Sequence, residues 1–237
     1  MAHEHATEAE EEYLQSIFWL HEAGLPMTAA NLARAMQLSA PTVHEMVGRL
    51  VRDGYVRRDE SKKLEFTPEG LEQATGIVRR HRLIERFLTD VLGIPWDEVH
   101  EEAERLEHAM SPVLEERMLA AIGNAKTCPH GHPIEAGNRI EGVPLADVEQ
   151  GAKVMVLRFE NEAEDLLHYL KAAGLEPGRE GTLAAADDEE VTVDFDGVSA
   201  TVTRSVAETV SVVADPSPPP RTALPRQLVL AKDRYGR

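Results

Sequence analysis

Six side chains in this chain of 237 residues have types and spacing that could do chemistry: His81, Glu85, His100, Glu104, Glu107 and His108. His81 and Glu85 stand four apart, so in a helix they project from one face. At about 100° per residue the second group spans an arc of roughly 100°, again one face. Between them Gly93-Ile94-Pro95 breaks the pattern, and two helices joined by a short turn can lie antiparallel and bring these faces together. Three imidazoles and three carboxylates would then converge without a thiolate, which is a ligand set for a divalent transition metal on the harder side. The same residue types also decorate solvated faces of acidic helices, so the rest of the chain has to decide.

The elements that must position these residues are legible in the periodicity. Tyr13, Leu14, Ile17, Phe18 and Leu20 predict an amphipathic helix over 7–22, ended at Gly24. Thr28 caps a short helix through Met36. Ser39 caps a third helix, with Pro41 in its first turn where a missing N–H costs nothing. Tyr55-Val56-Arg57-Arg58 and Lys63-Leu64-Glu65-Phe66 read as two strands of a hairpin. Helix, helix, turn, helix and wing is the winged helix-turn-helix layout. Basic residues outnumber acidic ones from Leu25 to Phe66, although the whole chain carries a net charge of −17. Such a balance excludes indiscriminate nucleic-acid binding but leaves room for a local basic surface. Ser39, Pro41, Thr42, His44 and Glu45 on the third helix, with Arg49, Arg57, Arg58, Lys62 and Lys63 at its end and on the wing, are the candidate DNA contacts.

A long helix from Pro68 to Leu92 delivers His81 and Glu85, one from Pro95 to Met110 delivers the other four, and a third starts at Ser111-Pro112. Their apolar surface exceeds what three helices need for one another, which predicts a dimer face. Residues 124–143, rich in Gly, Pro and Asn, read as a linker. Cys128, His130 and His132 alternate there, but three ligands on one loop with no second pair are a weak zinc signal, and they read as loop residues. From Pro144 the pattern turns to five short strands and one helix, a small barrel. Residues 215–237 form a Pro-rich, basic tail. One cysteine suits a reducing cytoplasm, no stretch is long enough to span a membrane, and the acidic N-terminus lacks an apolar signal core. There is no HExxH or nucleophile elbow, so an enzyme is not expected.

These residues together resemble the diphtheria toxin repressor family of metal-dependent transcriptional regulators. The resemblance runs from about Glu10 to Val213, and rests on H-R-L-I-E-R-F-L-T-D-V-L-G (81–93), V-H-E-E-A-E-R-L-E-H-A-M-S (99–111), S-A-P-T-V (39–43) and C-P-H-G-H-P-I (128–134). It implies a mainly α chain with a small β domain: a winged helix-turn-helix over 1–70, a helical metal-binding and dimerisation domain over 71–126, a linker over 127–143 and an SH3-like domain over 144–214. It implies two metal sites per subunit. One uses His81, Glu85 and His100, completed by an oxygen from the barrel, for which Glu160 is the candidate. The other uses Glu104, Glu107 and His108 with Glu12. Iron-responsive members of the family place Cys and Met at the positions of Glu104 and Glu12, so the resemblance favours the manganese-responsive branch, Mn²⁺ over Fe²⁺. Gln15 replaces a second acid found in some manganese members, and Glu45 replaces a base-reading Gln, so operator sequence does not transfer. The expectation is a homodimeric repressor on a palindromic operator. The alternatives are a metal-independent winged-helix regulator sensing a ligand or partner through the barrel, and a dinuclear carboxylate enzyme.

Overall fold

The computed structural model describes residues 6–135 and 139–215; of the tail expected over 215–237, Asp215 ends a strand and the rest lies outside the described residues. The chain divides into two compact units, Met1–His81 with Leu106–Met110, and Arg82–Arg105 with Ser111 onward. It is mainly helical with one larger sheet. Its elements are α1 (Glu8–Glu22), α2 (Ala29–Ala35), α3 (Ala40–Arg52), β1 (Val56–Arg58), β2 (Leu64–Phe66), α4 (Pro68–Asp90), α5 (Val99–Leu106), α6 (Pro112–Ile122), β3 (Val143–Pro144), β4 (Lys153–Phe159), α7 (Glu164–Ala172), β5 (Glu180–Ala186), β6 (Glu190–Phe195), β7 (Val198–Thr203), α8 (Arg204–Ala207) and β8 (Val210–Asp215). No helix among the described residues is long and apolar enough to cross a membrane.

In the first unit the winged helix forms as the residues require. Thr28 and Ser39 accept hydrogen bonds from the backbone N–H groups of Asn31 and Thr42, which closes the first turns of α2 and α3. Val43, Val47 and Leu50 are fully buried along one stripe of α3, each contributing about 1.5–3 kcal/mol by burial. The wing pairs Val56 with Phe66 and Arg58 with Leu64. Asp59 turns it, accepting from the Ser61 hydroxyl and the Lys63 N–H. Gly70 lets the start of α4 lie against Tyr55, whose carbonyl oxygen would sit 1.8 Å from any added Cβ.

In the second unit the sheet order is β3-β8-β4-β5-β6-β7. Register shifts at Val156/Arg158 and Leu183/Ala185 bend β4 and β5. The inward residues Val154, Val156, Phe159, Val193, Phe195, Val202 and Val212 form its core with Leu167 and Leu170 of α7. Asp196 and Gly197, both at positive φ, make the two-residue turn between β6 and β7. The sheet has one strand more than expected, because Val143–Pro144 pairs with β8. The expected linker is also folded. Arg86 donates to the carbonyls of Thr127 and Cys128, and Arg82 to that of Pro133. Cys128 and His130 are fully buried.

Asp97 anchors α7. It is buried, and it accepts from His168 Nδ1 at 2.7 Å and from Lys171. Burial opposes its ionisation, but the bonds from Lys171 and His168 hold its carboxyl below 3.8. The bond to Asp97 in turn raises His168 above 6.5. Asp97→Asn is expected to cost about 1–3 kcal/mol. The depressed Asp97 contributes above 3.8 and loses its effect as pH falls through its lowered value. The raised His168 contributes fully below 6.5 and loses its effect as pH rises through its raised value. His168 is largely exposed, so screening keeps its share small. In thermal melts from about pH 4 to 9 the gap between wild type and variant should be widest at mildly acidic pH and narrow above neutrality. A gap independent of pH would show that His168 carries no charge at this contact.

Candidate metal centres

The first unit holds one cluster. Ligand atoms of Glu8, Glu12 and His108 lie within 4.8 Å of one another. Glu8 and Glu12 share a face of α1 at helical spacing, and His108 sits in the short 3-10 turn Glu107–Ala109 that follows α5. Glu11 accepts from Arg80 at 2.7 Å and meets His108 Nδ1 at 2.8 Å. His108 Nε2 is 3.5 Å from Glu107 Oε1. Glu107 is itself buried, meeting His81 Nδ1 at 2.6 Å and accepting from Gln15 at 3.1 Å. Trp19 closes on the His81 ring edge-on at 5.6 Å. The donors around His108 are carboxylate oxygens and imidazole nitrogens, the chemistry of a hard divalent cation.

The second unit holds another. Ligand atoms of Glu85, Cys128, His130 and Glu162 lie within 4.8 Å of one another. Glu85 Oε1 is 3.1 Å from both His100 Nδ1 and His130 Nδ1, and Glu162 Oε2 is 3.3 Å from His100 Nδ1. His100 Nε2 also meets Glu104 at 3.4 Å. His130 Nε2 lies 2.7 Å from the Trp96 carbonyl. A carbonyl only accepts, so Nε2 carries a proton, and in the neutral ring that a metal needs the Nδ1 lone pair faces Glu85 and Glu162. That buried nitrogen has no hydrogen-bond partner. A lone pair aimed at two carboxylates is satisfied by a cation held among them, so the donor set fits a metal. Gly131 makes the loop possible. Its φ is +94°, and a Cβ there would meet the Leu157 carbonyl oxygen at 2.0 Å.

Electrostatics agree with this geometry. Burial alone would lower the His100 pKa, but hydrogen bonding to Glu104, Glu162 and Glu85 raises it well above 6.5. Burial and the Glu85 charge push Glu162 up, yet the neighbouring imidazoles bring it down to about 2. Burial, reinforced by Glu85 and Glu162, pushes the Cys128 thiol well above 9.0.

Several expected positions change. The structure does not bring Glu160, the expected barrel donor, into this cluster. It is held by Arg139 at 2.7 Å, Arg158 at 2.9 Å and the Ser211 hydroxyl, and Glu162, two residues on, takes the place expected of it. The uniform helix expected from Pro95 to Met110 starts only at Val99 and tightens to 3-10 winding at Glu107. Glu107 and His108 lie in that 3-10 turn, where Glu107 meets His81 and His108 meets Glu11. Glu104 meets His100, with about half its side chain exposed. The ligand set is not free of sulfur, because Cys128 belongs to the second cluster. Cys128 and His130, which the sequence reads as loop residues, and Glu162, which it does not single out, come together because Glu85 on α4 and the segment after β4 reach them from far away in sequence. The C-P-H-G-H spacing was the available signal.

The DNA-binding candidates Ser39, Pro41, Thr42, His44 and Glu45 form the exposed face of α3, and Arg57, Arg58, Lys62 and Lys63 are exposed on the wing. Arg57 pairs with Glu65 at 2.8 Å. Arg49 is engaged instead by Glu10 at 2.9 Å.

Comparison with known proteins fits both halves of this description. Residues 5–64 match the iron dependent repressor N-terminal DNA binding domain. Residues 67–136 match the iron dependent repressor metal binding and dimerisation domain, and residues 143–214 the FeoA domain. The chain is 35% identical over 219 residues to the iron-dependent repressor IdeR of Mycobacterium tuberculosis, covering 85% of this chain and 95% of the relative. It is 32% identical over 217 residues to the diphtheria toxin repressor of Corynebacterium diphtheriae, with 85% and 95% covered. A manganese-dependent transcriptional repressor in complex with manganese superposes with a TM-score of 0.78 at 30% identity, over 86% of this chain and 99% of that one. The manganese regulator SloR superposes with a TM-score of 0.72 at 33% identity, over 86% and 97%. The similarity thus runs along nearly the full length of these relatives, and the chain belongs to the diphtheria toxin repressor and IdeR family of metal-dependent DNA-binding repressors.

Proposed function

We propose that this protein is a cytoplasmic homodimer that binds a palindromic operator when loaded with Mn²⁺, or alternatively Fe²⁺, and represses genes of metal uptake. Two centres per subunit serve it. Glu12, Glu107 and His108, joined by Glu8, form the first. Glu85, His100, His130 and Glu162, with Cys128, form the second, and His81 stands one helical turn before Glu85 on α4. The observation that carries the reading is the clustering of Glu8 and Glu12 with His108, because α1 packs in the unit that displays the recognition helix α3.

A bound divalent cation supplies the charge that lets these acids stay close together. The remaining work belongs to the chain. Glu12 ties α1 to the segment between α5 and α6, the part of the chain matching the dimerisation domain. Exposed Val91, Leu92, Val113 and Leu114 at the ends of α4 and α6 supply apolar surface for a second copy. Two α3 helices must then enter major grooves one turn, roughly 34 Å, apart. His44 and Glu45 face base edges, and Arg57, Arg58, Lys62 and Lys63 face phosphates. The donors at the first centre are oxygen and nitrogen only, which favours Mn²⁺. The Cys128 sulfur makes the second centre softer. The domain limits we assign are 1–70, 71–126, 127–143 and 144–214.

Gel-shift titration on promoter fragments of metal-transport genes, with chelator and then Mn²⁺, Fe²⁺ or Zn²⁺, tests this. Binding should appear only with metal, with Mn²⁺ or Fe²⁺ the most potent. Binding that ignores chelator would sink the proposal in favour of a metal-independent regulator.

A further inference from the structure

The first turn of α1 does two jobs. On one face Glu8 and Glu12 cluster with His108. On another, Glu10 points at the recognition helix. Glu10 is 3% exposed. Its Oε2 accepts from the Thr7 N–H and the Thr7 hydroxyl, both at 2.8 Å, closing the N-terminus of α1. Its Oε1 meets Arg49 Nε at 2.9 Å. Arg49 also reaches Thr7 Oγ1 at 3.5 Å and Asp53 at 3.6 Å. Arg49 lies in the last turn of α3, the helix whose exposed face carries the base-reading candidates. One buried carboxylate therefore joins the start of the metal-bearing helix to the end of the DNA-reading helix. A charge-assisted bond of this kind is about twice as strong as a neutral one, and the buried Glu10 end has little freedom to move independently.

We propose that Glu10 is a positioning residue: through Arg49 it fixes the recognition helix to α1, so that ordering α1 at the Glu8, Glu12 and His108 centre sets the pose of α3 on DNA. This rests on reading Glu12 and His108 as metal ligands. Glu10 takes no part in metal binding, and Arg49 acts as a strut rather than as a phosphate contact.

Glu10→Gln separates the roles, because Gln at this position still closes the helix N-terminus but removes the charged partner of Arg49. Metal affinity of the free protein is measured by calorimetry with Mn²⁺. DNA affinity is measured by anisotropy on a labelled operator, with Mn²⁺ and with chelator. The ratio of the two DNA affinities is the coupling, ordinarily about 5–150-fold. For Glu10→Gln we expect unchanged Mn²⁺ affinity without DNA and a loss of about tenfold in that ratio. Arg49→Gln should lose a similar amount, and the double variant no more than either, since the two form one link. Additive losses would overturn the strut, as would a wild-type ratio in Glu10→Gln. Tighter DNA binding by Glu10→Gln with chelator would overturn it too, showing that Glu10 withholds Arg49 from phosphate. A wild type that binds Mn²⁺ but shows no DNA response overturns the metal-switch reading itself, and the strut with it.

Discussion

Glu12→Gln is expected to keep the fold and the oligomeric state and to lose the metal response. The substitution preserves shape and removes one anionic donor from the Glu8, Glu12 and His108 cluster. Removing an outer-shell partner already costs about 10–100-fold in metal affinity, and a ligand should cost at least that. The cluster also explains why the variant should not be less stable without metal. Glu8, Glu11 and Glu12 are neighbours on α1, and Glu11 is engaged by Arg80. Neutralising one of several close acids relieves repulsion, so the melting temperature with chelator should hold or rise. With Mn²⁺ the order should reverse, because a ligand that binds the folded form stabilises it in proportion to its affinity. Operator binding with chelator should match wild type, and the gain on adding Mn²⁺ should vanish. A variant that responds to Mn²⁺ at wild-type concentrations would remove Glu12 from the centre and break the proposed link between α1 and the segment around His108.

The local elements were legible in the sequence because their signals are local. Ser39 and Ser111 cap the helices they were expected to cap, and Asp196-Gly197 turns where that pair should. The family resemblance extended this to the fold class and pointed to several of the carboxylates and imidazoles that the structure brings together. What failed was register and long-range partnership. Trp96 and Asp97 were read as the start of a helix, but the carbonyl of one serves His130 and the carboxylate of the other anchors α7, so α5 begins later. Glu160 and Glu162 stand two residues apart after β4. Nothing in the sequence tells which of them meets two arginines and which meets imidazoles. Cys128 and His130 looked like spacer residues because Glu85 and Glu162, the partners that give them meaning, are distant in sequence. Burial is what distinguishes a ligand loop from a linker, and burial here depends on Arg82, Arg86 and Gly131 pinning the backbone.

Glu85→Gln should reduce bound metal from two ions to one per subunit while leaving the Glu12 centre intact. Glu85 is fully buried, and its Oε1 lies 3.1 Å from both His100 Nδ1 and His130 Nδ1. Glu162 stands farther from both rings, 3.3 Å from His100 and 3.6 Å from His130. The loss should therefore exceed that for Glu162→Gln, by more than the roughly 10–100-fold expected of an outer-shell partner. Protons give an independent readout. The His100 pKa is raised well above 6.5 by its hydrogen bonds to Glu104, Glu162 and Glu85, which favours the protonated ring, and an imidazole must give up that proton to ligate. Metal uptake at this centre should release a proton, and its affinity should rise with pH through neutrality. In Glu85→Gln one raising partner is gone, so proton release per metal bound should fall, as measured by calorimetry in buffers of different ionisation enthalpy. Metal content by mass spectrometry under native conditions then separates the two centres. Two tightly bound ions in Glu85→Gln, with unchanged proton release, would show that Glu85 pairs with the imidazoles only as a structural charge. The ligands would then have to be sought among His100, Cys128, His130 and Glu162.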